Sequence, residues 1–359
     1  MKKIIISVTN DLSTDQRVNK VATSLSKIGL SVLLVGIHSN KSFDDQFKVK
    51  RFKLYNRKGF FFYLEYNIKL FFFLINSDFN ILLSNDVDTI VPNLLVSKIK
   101  NKPLVYDSHE LFSEVPELIS RPVRKKIWKM VEYFCLPKLN FSYTVSDSIA
   151  DYYNTNHGIQ MSVIRNFPLK KPVLNNKQPN KRKIIIYQGA VNKDRGIELM
   201  ILSMKYVDAT LIIVGNGDEI SRLKDLTKDN NLEDKVSFMG HINFNKLHEI
   251  TQSADLGLSF EEDSCLAYRY SLPNKIFDYI NAEIPVLISN LPEYKKILNK
   301  YNFCNILISR NPKVVASQIN KILAKDKIQY ANEIKKAKRK LCWDSEELNL
   351  FKLFEKISF

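Results

Sequence analysis

The segment Ser271–Pro285 (SLPNKIFDYINAEIP) sets a hydroxyl, a proline, a lysine and a carboxylate in an order that suits anion binding. Ser271 is a candidate N-cap, and Pro273 fits the first turn of a helix. A helix start offers free amides and the positive end of its dipole, and Lys275 adds a full charge there. Asp278 lies three residues on and shares that face. A carboxylate in that position could accept both hydroxyls of a ribose while the lysine meets phosphates. The plainer reading is a capped surface helix with an i,i+3 ion pair, and spacing leaves both open.

A second group of polar residues directly follows the predicted strands. In the first half these are Thr9-Asn10-Asp11, Asn85-Asp86, Asp107-Ser108-His109-Glu110, Ser146 and Asn166. In the second half they are Gln188-Gly189, Gly215-Asn216-Gly217, Gly240 and Glu261-Glu262. Open α/β sheets bind ligands at the carboxyl ends of their strands, so two polar rims predict a site in a cleft between two domains. Histidine ordinarily titrates near neutral pH, so His109 is a candidate for proton transfer, with Glu110 as the second choice. A lone histidine after a strand is otherwise a satisfied loop residue. Asp86-Val87-Asp88 has a metal-binding spacing, but such triplets are common by chance and a loop is expected there. Gly215-Asn216-Gly217 is too short for a dinucleotide fingerprint, and P-loop spacing is absent. No metal site is expected.

These residues need a scaffold, and the pattern of elements supplies one. Strand Ile4–Val8, a helix with Val18, Val21, Leu25 and Ile28 on one face, and strand Ser31–Val35 make a βαβ unit. Further strands are predicted at Ile81–Ser84, Leu104–Tyr106, Tyr143–Val145 and Val163–Ile164. A second series runs through Ile184–Tyr187, Thr210–Val214, Val236–Phe238, Leu256–Ser259 and Val286–Ile288. Helices fall near Glu198–Met204, Glu219–Asn230, Phe244–Ser253 and Asn274–Ala282. The class is α/β, with two doubly wound parallel sheets. The expected boundaries are a first domain over 1–169, a polar linker over 170–183, a second domain over 184–340, and a final helical stretch over 341–359 that packs back on the first.

Bulk properties agree. A chain of 359 residues exceeds one comfortable core, and 45% apolar residues is ordinary for a globular protein. The net charge of +16 fits nucleic acid, an anionic membrane or phosphorylated substrates, and equally the Lys-, Asn- and Ile-rich usage of an AT-biased genome. Signatures of nucleic-acid-binding folds are missing, so no nucleic acid partner is expected. Four dispersed cysteines give no CxxC pair, which fits a reducing cytoplasm. The opening residues read as a first strand, not a signal peptide. The apolar run Gly59–Ile75 carries Glu65, Asn67 and Lys69 and falls short of the roughly 20 residues that span a bilayer. Two basic, aromatic-rich stretches, Lys41–Leu70 and Arg121–Lys138, each carry a net charge of +5. Such surfaces suit an anionic membrane interface, or else a helix burying its aromatic side with its lysines in water.

Taken in order, several segments resemble family 4 glycosyltransferases, which are retaining enzymes of the GT-B fold. They are NDLSTDQRVNKVATSLSKIG (10–29), VYDSHE (105–110), VIRNFP (163–168), YQGAVNKDRG (187–196) and SLPNKIFDY (271–279) with Ile284-Pro285-Val286. The resemblance covers nearly the whole chain. It implies two Rossmann-like domains facing each other across a cleft, the second holding a nucleotide-diphosphate sugar as co-substrate with no other cofactor. Arg195, Lys275 and Gly189 would meet the donor diphosphate, and Asp278 the ribose. Gly240, Glu261, Glu262 and Asn274 would line the base and sugar pocket. His109 and Glu110 would be catalytic, and Asn10, Asp11, Asp15 and Asp107 would lie on acceptor-side loops. The family's Glu-x7-Glu pair is altered, because Asp278 takes the second position and Tyr270 the first. Glu261 or Glu262 would then substitute if the loop folds back.

The implied activity is transfer, with retention, to a saccharide or lipid-linked acceptor. The setting would be bacterial surface polysaccharide, lipopolysaccharide or capsule biosynthesis. The enzyme would be cytoplasmic, and a peripheral place on the inner face of the cell membrane fits the basic stretches. The rivals are a sugar-nucleotide epimerase of the same fold and a non-catalytic, membrane-associated subunit of a glycan-assembly complex.

Overall fold

The computed structural model describes residues 1–13, 15–39, 46–172, 182–325 and 328–357. The chain divides into two units. One comprises Met1–Asn166 with Glu346–Phe359, and the other Phe167–Ser345. Of the stretch expected as a linker, residues 173–181 lie outside the described residues, as do residues 41–45 of the first basic stretch.

The first unit opens with β1 (Lys3–Ser7), α1 (Gln16–Lys27) and β2 (Ser31–Ile37). Ile4, Ile5 and Ile6 are buried, as a strand covered on both faces requires. α1 starts where the Asp15 carboxylate accepts the Val18 amide, and it buries Val18, Val21, Ala22 and Leu25. There follow β3 (Lys48–Phe52), α2 (Phe60–Ile75), β4 (Ile81–Asn85), α3 (Val87–Lys100) and β5 (Leu104–Ser108). After these come α4 (Pro116–Ile119), α5 (Pro122–Cys135), β6 (Phe141–Thr144), α6 (Asp147–His157) and β7 (Ser162–Val163). The sheet is parallel, in the order β3-β2-β1-β4-β5-β6-β7.

Strand β3 was not foreseen. Its sequence KVKRF is charged and mostly exposed because it pairs only with β2 at the sheet edge, where lysines discourage pairing with another chain. The Asp86-Val87-Asp88 triplet is also not a loop. Asp86 precedes α3 with φ 54°, and Asp88 is buried in the helix's first turn.

The second unit contains β8 (Ile184–Gln188), α7 (Ile197–Ser203), β9 (Thr210–Val214), α8 (Ile220–Asp229), β10 (Val236–Gly240), α9 (Phe244–Ser253) and β11 (Leu256–Ser259). It continues with α10 (Leu266–Arg269), α11 (Asn274–Asn281), β12 (Val286–Ile288), α12 (Pro292–Leu298), β13 (Cys304–Ile306), α13 (Pro312–Leu323) and α14 (Ile328–Lys340). The strand order is β10-β9-β8-β11-β12-β13, again parallel. The last helix, α15 (Trp343–Glu355), carries the chain into the first unit. There Glu347 accepts hydrogen bonds from Ser24 (2.6 Å) and Lys27 (2.7 Å), and Glu346 accepts one from the Arg165 amide (3.0 Å).

In each unit the strand order reverses direction next to the first strand, between β1 and β4 and between β8 and β11. Loops leave such a pair toward opposite faces of the sheet, which opens a crevice at the strands' carboxyl ends. Helix α11 is fastened beside the second of these crevices by Tyr279. The Tyr279 hydroxyl donates to the Leu258 carbonyl (3.0 Å) and accepts the Gln188 amide (3.2 Å). Its ring lies on Gly257, where an added Cβ would come within 2.4 Å of ring carbons.

Candidate functional site

The β8/β11 crevice gathers a carboxylate and two cations. Glu261 follows β11 and is fully buried. Its Oε1 receives Lys275 Nζ at 2.5 Å, and its Oε2 receives Ser259 Oγ at 2.6 Å and the Tyr294 hydroxyl at 3.0 Å. Arg195 Nη1 stands 3.9 Å from Oε1. Burial alone would raise the Glu261 pKa, but the charge and hydrogen bond of Lys275, aided by Ser259 and Arg195, bring it down to about 2. Glu261 thus faces both cations at close range.

Aromatic faces set the two cations. Lys275 Nζ lies 4.2 Å from the Tyr187 ring centroid, and the Arg195 guanidinium 4.4 Å from that of Tyr268. Arg195 Nε is buried and has no hydrogen-bond partner among the described residues. Gly189 lets the lysine stem pass, since an added Cβ would lie 3.3 Å from Lys275 Cε. Gly215 packs directly on the Gly189 carbonyl, and its amide donates to the Gly240 carbonyl (2.9 Å). The glycines that end β8, β9 and β10 are therefore neighbours.

Asp278 accepts a hydrogen bond from Gln188 Nε2 (3.0 Å), and Thr251 donates to Gln188 Oε1 (2.7 Å). Lys275 and Asp278 thus reach different partners, which sets aside the simple i,i+3 ion pair. Ser271 is not the N-cap of α11. Its hydroxyl donates to the Tyr268 carbonyl at the end of α10, and Pro273 precedes α11 without a side-chain cap. Asn274, the first residue of α11, is exposed. Glu262 turns away from Lys275. Its amide donates to the Asp194 carbonyl (2.9 Å), and its carboxylate pairs with Arg310 (3.2 Å). Tyr270 ends α10 half-buried. Glu261, not Glu262, is the carboxylate beside the cations.

In the first unit, His109 follows β5. Its amide donates to Asp86 Oδ1 (2.9 Å), and its Nδ1 lies 3.3 Å from Asp86 Oδ2. Its Nε2 lies 3.1 Å from Asn85 Oδ1 and 3.2 Å from Asp107 Oδ2. Burial would favour the neutral ring, but the two carboxylates override it and raise the pKa to about 9. His109 is therefore a cation and a hydrogen-bond donor at neutral pH, which corrects the expectation of a base poised near 7.

Asp107 was expected on an acceptor-side loop. It lies within β5 and is fully buried, gripped by Arg17 through Nη2 (2.7 Å) and Nε (2.9 Å). Burial pushes its pKa up, but Arg17 and His109 outweigh that and hold it far below the usual carboxylate range. Arg17 was missed, although one signal was legible: it stands four residues before Val21, on the apolar face of α1. The other acceptor-side candidates serve local structure. Asp15 caps α1 and accepts Asn10 Nδ2 (3.1 Å), and Asp11 accepts the Ser13 hydroxyl (2.8 Å). Glu110 is exposed.

Residues 173–341 match the family model described as "Glycosyl transferases group 1". That stretch resembles a group 1 glycosyl transferase domain. The charged crevice, with Gly189, Arg195, Glu261, Lys275 and Asp278, falls wholly within the matched residues. The chain is 25% identical over 203 residues to the O-antigen chain mannosyltransferase RfbU of Salmonella typhimurium, covering 56% of this chain and 55% of that one. It is 26% identical over 185 residues to an uncharacterized glycosyltransferase of Methanocaldococcus jannaschii, covering 48% and 45%. The chain thus spans about half the length of these relatives. Among solved structures, the sucrose-phosphate synthase of Thermosynechococcus elongatus superposes with a TM-score of 0.82 at 16% identity, over 99% of each chain. Anabaena HepE in complex with UDP-glucose gives 0.74 at 13% identity, over 99% of this chain and 100% of that one. The fold is GT-B, with its two parallel-sheet α/β units.

Proposed function

We propose that this protein transfers a sugar from a nucleotide-diphosphate sugar to a glycan or lipid-linked acceptor, and that the group 1 domain holds the donor. The observation that carries the reading is Arg195. Its side chain is partly exposed, its guanidinium rests on Tyr268, and it shares a crevice with Lys275, both beside Glu261. A diphosphate would supply acceptor atoms to the accessible part of these cations. It is also the leaving group, so the same cations stabilise the charge that grows as the glycosidic bond breaks. Asp278, beside Gln188, is placed to take the ribose hydroxyls.

In the first unit, His109 stays protonated between Asp86 and Asp107. Both of its ring nitrogens are engaged by those carboxylates and by Asn85, so we assign it a fixed positive charge that orders the loop after β5, not proton removal. The leaving diphosphate then takes the acceptor proton, which suits transfer with retention. The O-antigen role in the name of the Salmonella relative supports a place in bacterial surface polysaccharide or lipopolysaccharide assembly, and the UDP-glucose bound to HepE supports a nucleotide-sugar donor. Exposed Phe60, Phe61 and Phe72 on α2, and Tyr133 and Phe134 on the basic helix α5, support a peripheral position on an anionic membrane.

Thermal unfolding with UDP, GDP, ADP and CMP, and with their sugar conjugates, tests the donor site. A ligand at 100 times its Kd adds about 2.7 kcal/mol, enough to raise the midpoint by several degrees. One nucleotide is expected to do so, and Arg195→Ala to abolish the shift. If no nucleotide stabilises the protein, or the variant responds like the wild type, the proposal fails.

A further inference from the structure

The first unit contains a hollow of about 580 Å3 walled by α2, α3, α5 and the segment that follows His109. Its lining is strongly apolar and includes Tyr63, Leu64, Val91, Phe112, Ile127 and Trp128. The rings pack edge to face, with Trp128 5.0 Å from Tyr63 and 5.1 Å from Phe112 between centroids. None of the donor-site residues takes part. A hollow this apolar and this large has the volume and walls of a small-molecule site, not of a packing defect.

Two features say what enters it. At the rim stand Arg121 and Arg124, both exposed, in a stretch that carries six basic residues against one acid. The only acidic groups in the lining are Glu117, exposed at the rim, and Asp88, buried at the floor. Asp88 is hydrogen-bonded by Thr9, and burial, with the Asp86 charge, raises its pKa to about 7. The floor therefore carries less than a full negative charge near neutral pH, while the rim is positive. The site suits an amphiphile with an apolar chain and an anionic head.

Position links the hollow to the chemistry. Val87 and Asp88 line it, and Asp86, the residue before them, binds both the amide and the ring of His109. Phe112 and Val115, a few residues beyond His109, form another wall. A chain lying in the hollow would bring its head group to the loop that carries His109.

We propose that this hollow binds the hydrocarbon chain of the acceptor, a lipid whose phosphate or diphosphate head pairs with Arg121 and Arg124. This rests on the transferase reading and names its acceptor class. The hollow takes one chain from the bilayer, and the exposed aromatic residues of α2 and α5 rest on the membrane around it.

The test uses the full chain with Trp343→Phe, so that Trp128 is the one fluorophore of its type. Dodecyl phosphate, kept below its micelle concentration, is titrated against Trp128 fluorescence, with dodecyl maltoside and a free oligosaccharide in parallel. Saturable binding of dodecyl phosphate is expected, weakened at least tenfold by Arg121→Gln with Arg124→Gln and abolished by Val91→Trp, which fills the hollow. Equal binding of dodecyl maltoside would overturn the anionic head. Binding of the oligosaccharide alone would make this a saccharide site. Response only to anionic vesicles, unchanged in Val91→Trp, would leave a membrane surface without a chain site. The nucleotide-induced thermal shift, measured on the same variants, must persist. Its loss in every variant and the parent would count against the transferase reading instead.

Discussion

Lys275 Nζ lies 2.5 Å from Oε1 of Glu261, a residue fourteen positions earlier that reaches it from the end of β11. Both side chains are buried, so each is the other's main compensation for lost water. Removing one partner leaves an uncompensated charge. Lys275→Met is expected to cost about 3–5 kcal/mol, read as a fall in the denaturation midpoint. The double variant Lys275→Met with Glu261→Gln should lose less than Lys275→Met alone. A double variant that falls as far or further would show that the two charges are not coupled.

The same pair sets an acid limb. Glu261 has its pKa depressed from 4.5 to about 2, so its contribution is fully present above pH 4.5 and is lost as pH falls toward 2. Stability of Glu261→Gln, followed from pH 6 to pH 2, should decline less steeply than that of the wild type. Parallel curves would refute the depressed pKa.

His109 makes the opposite prediction. Its pKa is raised from 6.5 to about 9, so its stabilisation is complete below pH 6.5 and disappears as pH rises through 9. His109→Asn should therefore be destabilised most at pH 6.5 and below, with the gap to wild type closing by pH 9 and above. A gap that is constant from pH 6 to pH 10 would mean the ring is neutral throughout.

For donor binding, calorimetry with a nucleoside diphosphate and the matching monophosphate separates charge from fork geometry. Arg195→Ala should weaken the diphosphate at least about tenfold, as loss of a charged hydrogen bond of about 1.5–3 kcal/mol requires. The monophosphate should lose less. Arg195→Lys keeps the charge but not the bidentate fork, and should fall between. Equal losses for both nucleotides would place Arg195 away from the diphosphate.

Gly215 tests the backbone beneath the site. An added Cβ would sit 1.8 Å from the Gly189 carbonyl oxygen, at φ +138°. Gly215→Ala should cost at least about 2 kcal/mol and weaken the nucleotide, because β8 must move. Gly158→Ala, which meets open space at φ +65°, should cost only about 1–2 kcal/mol and leave nucleotide binding intact. Equal nucleotide affinity in the two variants would argue against the strand-end geometry.

The sequence alone determined the two α/β units, because buried parallel strands such as Ile184–Tyr187 are continuous apolar runs and α1 repeats its apolar residues at helical spacing. It also marked where each strand ends, and so which polar residues stand at the carboxyl edge. Tertiary structure decided how those residues pair. Glu261 and Glu262 are adjacent in sequence, yet one is buried against Lys275 and the other faces Arg310. Arg17 and Asp107, ninety residues apart, meet because β5 ends near the start of α1. Local periodicity reports which side of an element is buried. It carries no information on which charges share a crevice, because that depends on the order of strands in the sheet and on where each loop crosses its edge. The same limit hid β3, whose charges are tolerated only because it is an edge strand, and it put His109 near its ordinary pKa until the two carboxylates beside it could be seen.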